Sequence, residues 1–269
     1  MDYAATLFDE TRTFLSLIGA CNPSTPVPTC PGWTVGELFR HVGRGNRWAA
    51  HLVAERAVKA VDPRSVPDSE PPREPAYGHD WLLAGATLLV DAVASTGPDT
   101  AVWTFLGPRP AWWWLRRRAY DTLMHGVDAA IAAGVVHHMS TEIAADALTE
   151  FLERVVAQSD AVSAPLSPGQ RLTFAATDTD GRWAVRGTDA GVEWSTDDSA
   201  ADVVLTGAAD ELLLVTVRRR LLEETGIDVV GDDAVWREWL GNTPFESSQN
   251  RSIARMDDAD PVARPKSAQ

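Results

Sequence analysis

The spacing of apolar residues changes once along this 269-residue chain, and that change limits the fold more than any other feature. From the start to about residue 160, apolar residues recur at helical spacing in segments separated by proline-rich or glycine-rich breaks. From about 170 to 206 they alternate with polar residues in short runs. A period of 3.6 belongs to helices and a period of 2 to strands. The sequence therefore predicts a bundle of helices over 1–164 followed by a smaller α+β domain over 165–246. Residues 247–269 are polar, have few large apolar groups, and are expected to form a disordered tail.

Within the first part, helices are expected from about Asp2 to Gly19, Thr34 to Val58, His79 to Ser95, Ala111 to Ala133 and Ser140 to Val162. Thr34 and Glu37 form a capping-box pattern, in which hydroxyl and carboxylate each reach a backbone amide of the first turn. Pro63, Pro67, Pro71, Pro72 and Pro75 exclude a helix from 62–79. In the second part, Arg171 to Ala176, Arg182 to Arg186, Val192 to Ser195 and Asp202 to Leu205 alternate like strands with one buried face. Helices are expected again from about Ala208 to Leu222 and Asp233 to Leu240.

A hydrophobic content of 45% marks a globular protein, and a net charge of -14 leaves no broad positive field for phosphates. Nucleic acid is excluded on that ground, because Arg116 to Arg118 and Arg218 to Arg220 are too short to reverse it. No run approaches the ~18 apolar residues of a membrane span, and the first residues lack the basic and apolar stretches of a secretory signal. A cytoplasmic location is expected. Cys21 and Cys30 are too few for a disulfide scaffold and are read as small apolar residues.

Two stretches carry candidate chemistry. Leu38, His41, Gly45, Trp48 and Leu52 fall within about 80° around a helix turning ~100° per residue, so His41 sits inside the apolar stripe. Asp121 and His125 are one turn apart on a later helix whose other sides are small or apolar, and Asp128 follows three residues on. Taken alone, a histidine in a core stripe is ordinarily one bonded to a carbonyl or carboxylate, and a polar arc beside an apolar one is ordinarily a solvated face. Three such side chains could also hold a divalent ion such as zinc and leave a coordination position open. Asp128 could then orient the His125 ring. His137 and His138 are adjacent and cannot face one ion from a regular element. The Glu-x-x-His pairs of di-iron bundles, the His-Glu-x-x-His motif and the Gly-x-Ser-x-Gly elbow do not occur.

The runs TCPGWTVGELFRHVG, RRRAYDTLMHGVDAA, ADVVLTGAADELLLVTVRRR and VVGDDAVWREWLGNTPF resemble the mycothiol-dependent maleylpyruvate isomerase family, over about residues 5 to 246. The resemblance implies a DinB-like four-helix bundle holding a divalent metal, usually zinc, followed by a sterol-carrier-like α+β domain. It also implies a metal triad of a histidine, then a glutamate and a histidine four apart, which matches His41, Asp121 and His125. The family's glutamate is aspartate here, one methylene shorter.

The resemblance further implies that mycothiol binds the open metal position as a thiolate and attacks an electrophilic small molecule, either in cis-trans isomerisation or in S-transfer. Arg118, and after it Arg117, are the expected partners for a substrate carboxylate, since guanidinium pairs with carboxylate. Segments 62–79 and 97–111 are expected to shape the pocket, and Trp112, Trp113 and Trp114 to anchor packing where their helix begins. The contrasting expectation is a non-catalytic small-ligand-binding protein with a structural or absent metal.

Overall fold

The computed structural model describes residues 1–72, 78–197 and 200–243, so the segment expected as a tail, 247–269, lies outside the described residues. Helix α1 spans Tyr3–Gly19, α2 Val35–Ala54, α3 Gly78–Thr96 and α4 Trp112–Ala133. Asp2 caps α1 by accepting from the amides of Ala4 and Ala5. The Glu37 carboxylate accepts from the Thr34 amide at the start of α2, as its spacing predicts. Gly134 ends α4 at φ 68°, a left-handed conformation that costs glycine little. Two short strands, β1 Ala101–Val102 and β2 Arg109–Pro110, pair antiparallel between α3 and α4 and have no counterpart in the sequence expectation.

Helix α1 packs against α4 and α3, and α2 against α3 and α4, giving a four-helix bundle. One of its two apolar clusters joins Leu7, Leu52, Leu89 and Ala119 to Trp48, Trp113 and Trp114. Trp112 stacks on Tyr3 instead, so the three tryptophans anchor packing, as expected.

Helix α5, Thr141–Gln158, is followed by strands β3 Arg171–Ala176, β4 Arg182–Thr188, β5 Gly191–Ser195 and β6 Val203–Gly207. Helix α6 spans Ala209–Thr216, strand β7 Asp228–Gly231, and helix α7 Asp233–Asn242. The sheet order is β5-β4-β3-β6-β7, with β3 and β6 parallel and every other pair antiparallel. Leu172 and Phe174 lie opposite Val203 and Leu205 on one face. That face forms a core with Leu148, Phe151 and Leu152 of α5, Leu212 of α6, and Trp236 and Trp239 of α7. The expectation of a helical bundle followed by an α+β part therefore holds.

The expected boundary at 164–165 falls after α5, whereas in packing α5 goes with the sheet and α6. Helical periodicity shows that a segment buries one face, and not which core that face joins. Tyr120 and Leu123 of α4 also enter this core, so α4 is a wall common to both parts. A second difference is in α6, which ends at Thr216 and not near 222. Arg218 lies at φ 58°, and this left-handed residue turns the chain back toward α4. Among the described residues no helix is long and apolar enough to cross a membrane.

Candidate metal centre

Helices α2 and α4 bring His41, Asp121 and His125 together inside the bundle, all three buried. His41 Nε2 stands 3.5 Å and His125 Nε2 3.7 Å from Asp121 Oδ2. The two imidazole centroids are 4.8 Å apart, edge to face. Among the described residues neither nitrogen of His41 makes an aligned hydrogen bond, and Asp121 Oδ2 makes none either, although the Arg118 guanidinium is ion-paired to it. Buried polar atoms without partners each cost roughly 1–3 kcal/mol, so native proteins seldom leave several in one place. Two atoms bound to one zinc ion at about 2.0–2.2 Å each stand no more than about 4.4 Å apart. The separations from Asp121 fall inside that limit. The donor set and the two His41 nitrogens thus fit a divalent ion, and the aspartate arm reaches despite its missing methylene.

Asp121 is also held by two arginines. Arg117 Nη2 donates to Oδ1 at 3.0 Å, and Arg118 Nη1 lies 2.9 Å from Oδ2. Arg118 also donates to Asn46 Oδ1 and to the carbonyl of Val42 on α2. Its guanidinium occupies the space where a Cβ at Gly45 would come within 2.6 Å, so glycine there admits it between the helices. Arg118, expected at a substrate, is turned toward α2 and does not line the adjoining cleft among the described residues.

His125 is fixed by its second nitrogen. Nδ1 is 2.9 Å from Asp128 Oδ2, which leaves Nε2 toward Asp121 and matches the orienting role expected of Asp128. Asp128 is fully buried. It accepts from Thr29 Oγ1 at 2.6 Å, from Cys30 Sγ at 3.4 Å, and from Arg219 Nε and Nη2 at 2.9 and 3.0 Å. Cys30, His125 and Asp128 also cluster closely enough to suggest ligands. There the carboxylate is already neutralised by a paired arginine contact, so that cluster is a hydrogen-bonded support. Trp33 packs over both histidines, with centroids 5.0 Å from His41 and 6.1 Å from His125. His137 stands apart against Gly126, as expected.

Burial pushes His41 below its ordinary pKa, which keeps it neutral and able to ligate. Burial pushes Asp121 up, but Arg118, the neighbouring imidazoles and Arg117 together hold it well below the ordinary carboxylate value. Glu150 of α5 behaves in the same way: burial raises it, and Arg117 and Arg154 outweigh that. A carboxylate with a depressed folded-state pKa adds stability above its unfolded value and loses it as pH falls through the folded one. Melting temperature should accordingly fall as pH drops below about 4.5. In Glu150→Gln the fall should be shallower from a lower starting point, and parallel profiles for the two proteins would contradict the assignment.

A small open cleft lies beside Asp121 and His125, between α4, α5 and the turn after α6. Arg117, Arg154, Arg218 and Arg219 line it, and Asp121 is the one carboxylate among its described lining residues. Segments 62–79 and 97–111, expected to shape a pocket, contribute no described residue to it. Arg154, Arg218, Arg219 and Glu150 were not singled out as site residues by sequence reasoning. The one available signal was the charged spacing of Glu150 and Arg154 along α5.

Two family models match the chain: the mycothiol maleylpyruvate isomerase N-terminal domain over residues 4–130 and the MDMPI C-terminal domain over residues 142–238. The second match begins with α5, in line with the packing of that helix. No curated protein matches the sequence significantly. Among solved structures, the fold is similar to a histidine-to-alanine mutant of the mycothiol-dependent maleylpyruvate isomerase, with TM-score 0.58 and 14% identity, covering 85% of this chain and 91% of that one. It is likewise similar to the enzyme without that substitution, with TM-score 0.52 and 17% identity, over 85% and 91% of the two chains. At such identities the likeness is one of fold.

Proposed function

Because this chain belongs to the mycothiol-dependent maleylpyruvate isomerase family, we propose that it is a metal- and thiol-dependent enzyme that directs a low-molecular-weight thiolate onto an electrophilic small molecule. Family membership supports the thiol-dependent, isomerase-like character. The observation that carries the rest is the convergence of buried His41, whose ring nitrogens have no aligned hydrogen bond among the described residues, with Asp121 and His125 beside an arginine-lined cleft.

His41, Asp121 and His125 would hold the ion. When bound, it supplies a positive charge that lowers the pKa of a neighbouring thiol. The chain's own residues do the remaining work. Asp128 keeps His125 Nε2 directed at the site, and Arg117 and Arg118 keep Asp121 ionised and aimed. The cleft places an electrophile beside them, and its arginines suit one that carries a carboxylate. In an isomerisation the thiolate sulfur adds to an activated double bond, rotation follows about the new single bond, and the sulfur departs as the double bond re-forms. In a transfer the adduct is the product. Mycothiol is the thiol the family implies, and zinc the metal.

The test is a conjugation and isomerisation screen with mycothiol and several electrophiles, with and without chelator. Turnover is expected to vanish with chelator and return with added zinc. Chelator-insensitive turnover would remove the metal from the reading. Asp121→Glu, which restores the family's longer arm, is expected to keep the fold and bind zinc at least as tightly as the unsubstituted chain. A loss of zinc on that change would show that the short arm is required by the surrounding helices.

A further inference from the structure

Of the four cleft arginines, three have terminal nitrogens already bonded. Arg117 donates from Nη1 to Glu150 and from Nη2 to Asp121. Arg219 donates from Nη2 to Asp128 and from Nη1 to the carbonyl of Val217, and Arg218 donates from Nη2 to the carbonyl of Thr243. Arg154 differs. Its Nε donates to Glu150 Oε2 at 3.1 Å, and among the described residues neither Nη1 nor Nη2 has an acceptor. Its side chain is 18% exposed and lines the cleft.

A guanidinium pinned through Nε presents Nη1 and Nη2 as parallel donors, a spacing that matches the two oxygens of a carboxylate. Glu150 does the pinning. It is 2% exposed, and both of its oxygens accept from Arg117 at 2.9 and 2.8 Å, so it cannot rotate away. Gln158, one helical turn beyond Arg154, lines the same cleft and can add an amide donor. Asp121, which also attracts Arg154, is itself paired with Arg117 and Arg118.

We propose that Arg154 recognises a carboxylate of the electrophile bound in the cleft, and that Glu150 is the positioning residue that aims it. This rests on the reading of the cleft as the place where thiol and electrophile meet. It adds the residue that distinguishes a charged electrophile from its neutral analogue.

The experiment measures binding of maleate and of dimethyl maleate to the full, zinc-loaded chain without thiol, alongside thiol conjugation of both. The affinity ratio of maleate to dimethyl maleate is expected to fall on the order of 10- to 100-fold in Arg154→Gln, less in Arg154→Lys, and by an intermediate factor in Glu150→Gln. Thermal melts identify any variant that fails to fold, and Arg154→Lys, which keeps the charge but not the paired donors, then carries the comparison. No maleate binding by the unsubstituted chain, or an unchanged ratio in Arg154→Gln and Arg154→Lys, overturns the proposal. Arg154-dependent maleate binding without thiol turnover would sink the thiol reading and leave this one standing. Thiol turnover with an unmoved ratio would do the reverse.

Discussion

Alanine in place of His41 is expected to eliminate stoichiometric binding of zinc, raising Kd at least about 100-fold, while far-UV circular dichroism stays that of the native chain. Among the described residues the imidazole makes no aligned hydrogen bond that holds the helices together, and Asp121 keeps Arg117 and Arg118 when the ring is removed. What disappears is one of three ligand atoms on elements that otherwise remain packed through Leu38 and Val42. Zinc content after dialysis, measured by elemental analysis against the parent chain, reads the effect directly. His137→Ala is the natural control, since it also removes two unpartnered nitrogens, but away from Asp121. Full zinc occupancy in His41→Ala would mean that the ion binds elsewhere and that the triad is a coincidence of packing.

Asp128→Ala should be the most destabilising single change at the centre, by about 3–5 kcal/mol. The carboxylate is fully buried, and four side chains from three regions of the chain donate to it or share a proton with it. Removing it leaves the Arg219 guanidinium buried without its counter-ion and frees the His125 ring to turn. A melting temperature lower on the order of 10 °C is expected for a chain of this length, with zinc affinity weaker by about 10- to 100-fold through loss of ring orientation. Pairing Asp128→Ala with Arg219→Met should recover part of the stability and none of the zinc affinity, because the uncompensated charge goes while the ring stays loose. A single variant melting within 2 °C or so of the parent would show that the cluster does not join the two parts of the fold.

The bundle and the placement of the three candidate ligands on its helices were legible because both follow helical spacing. Helical spacing places His41 in a buried stripe and sets Asp121, His125 and Asp128 on one face, and a carboxylate three residues past a candidate ligand histidine has an evident use. The runs around His41 and His125 added the pairing of two distant helices, which spacing alone does not give. Arg219 was not legible. It is one of three consecutive arginines of equal chemistry, and only the left-handed turn at Arg218 determines which of them returns to α4. Arg118 was legible as a site residue but not in its contacts, since nothing local says that Gly45 opens a space for it on α2. Glu150 and Arg154 escaped because their helix was grouped with the bundle, while its apolar face belongs to the sheet and its charged face to the cleft. Strand β7, four residues from Asp228 to Gly231, is too short to carry a period of its own.

The contact from Arg219 to Asp128 ties the chemistry of the first half of the molecule to the identity of the second. An exchange of the C-terminal half with that of a relative would transplant more than a cover for the cleft. Unless the incoming piece also turned its backbone after the equivalent helix and offered a guanidinium at that point, the hybrid would seal a naked acid in its interior. The halves of this protein are therefore interchangeable only where the arginine and its acid travel together.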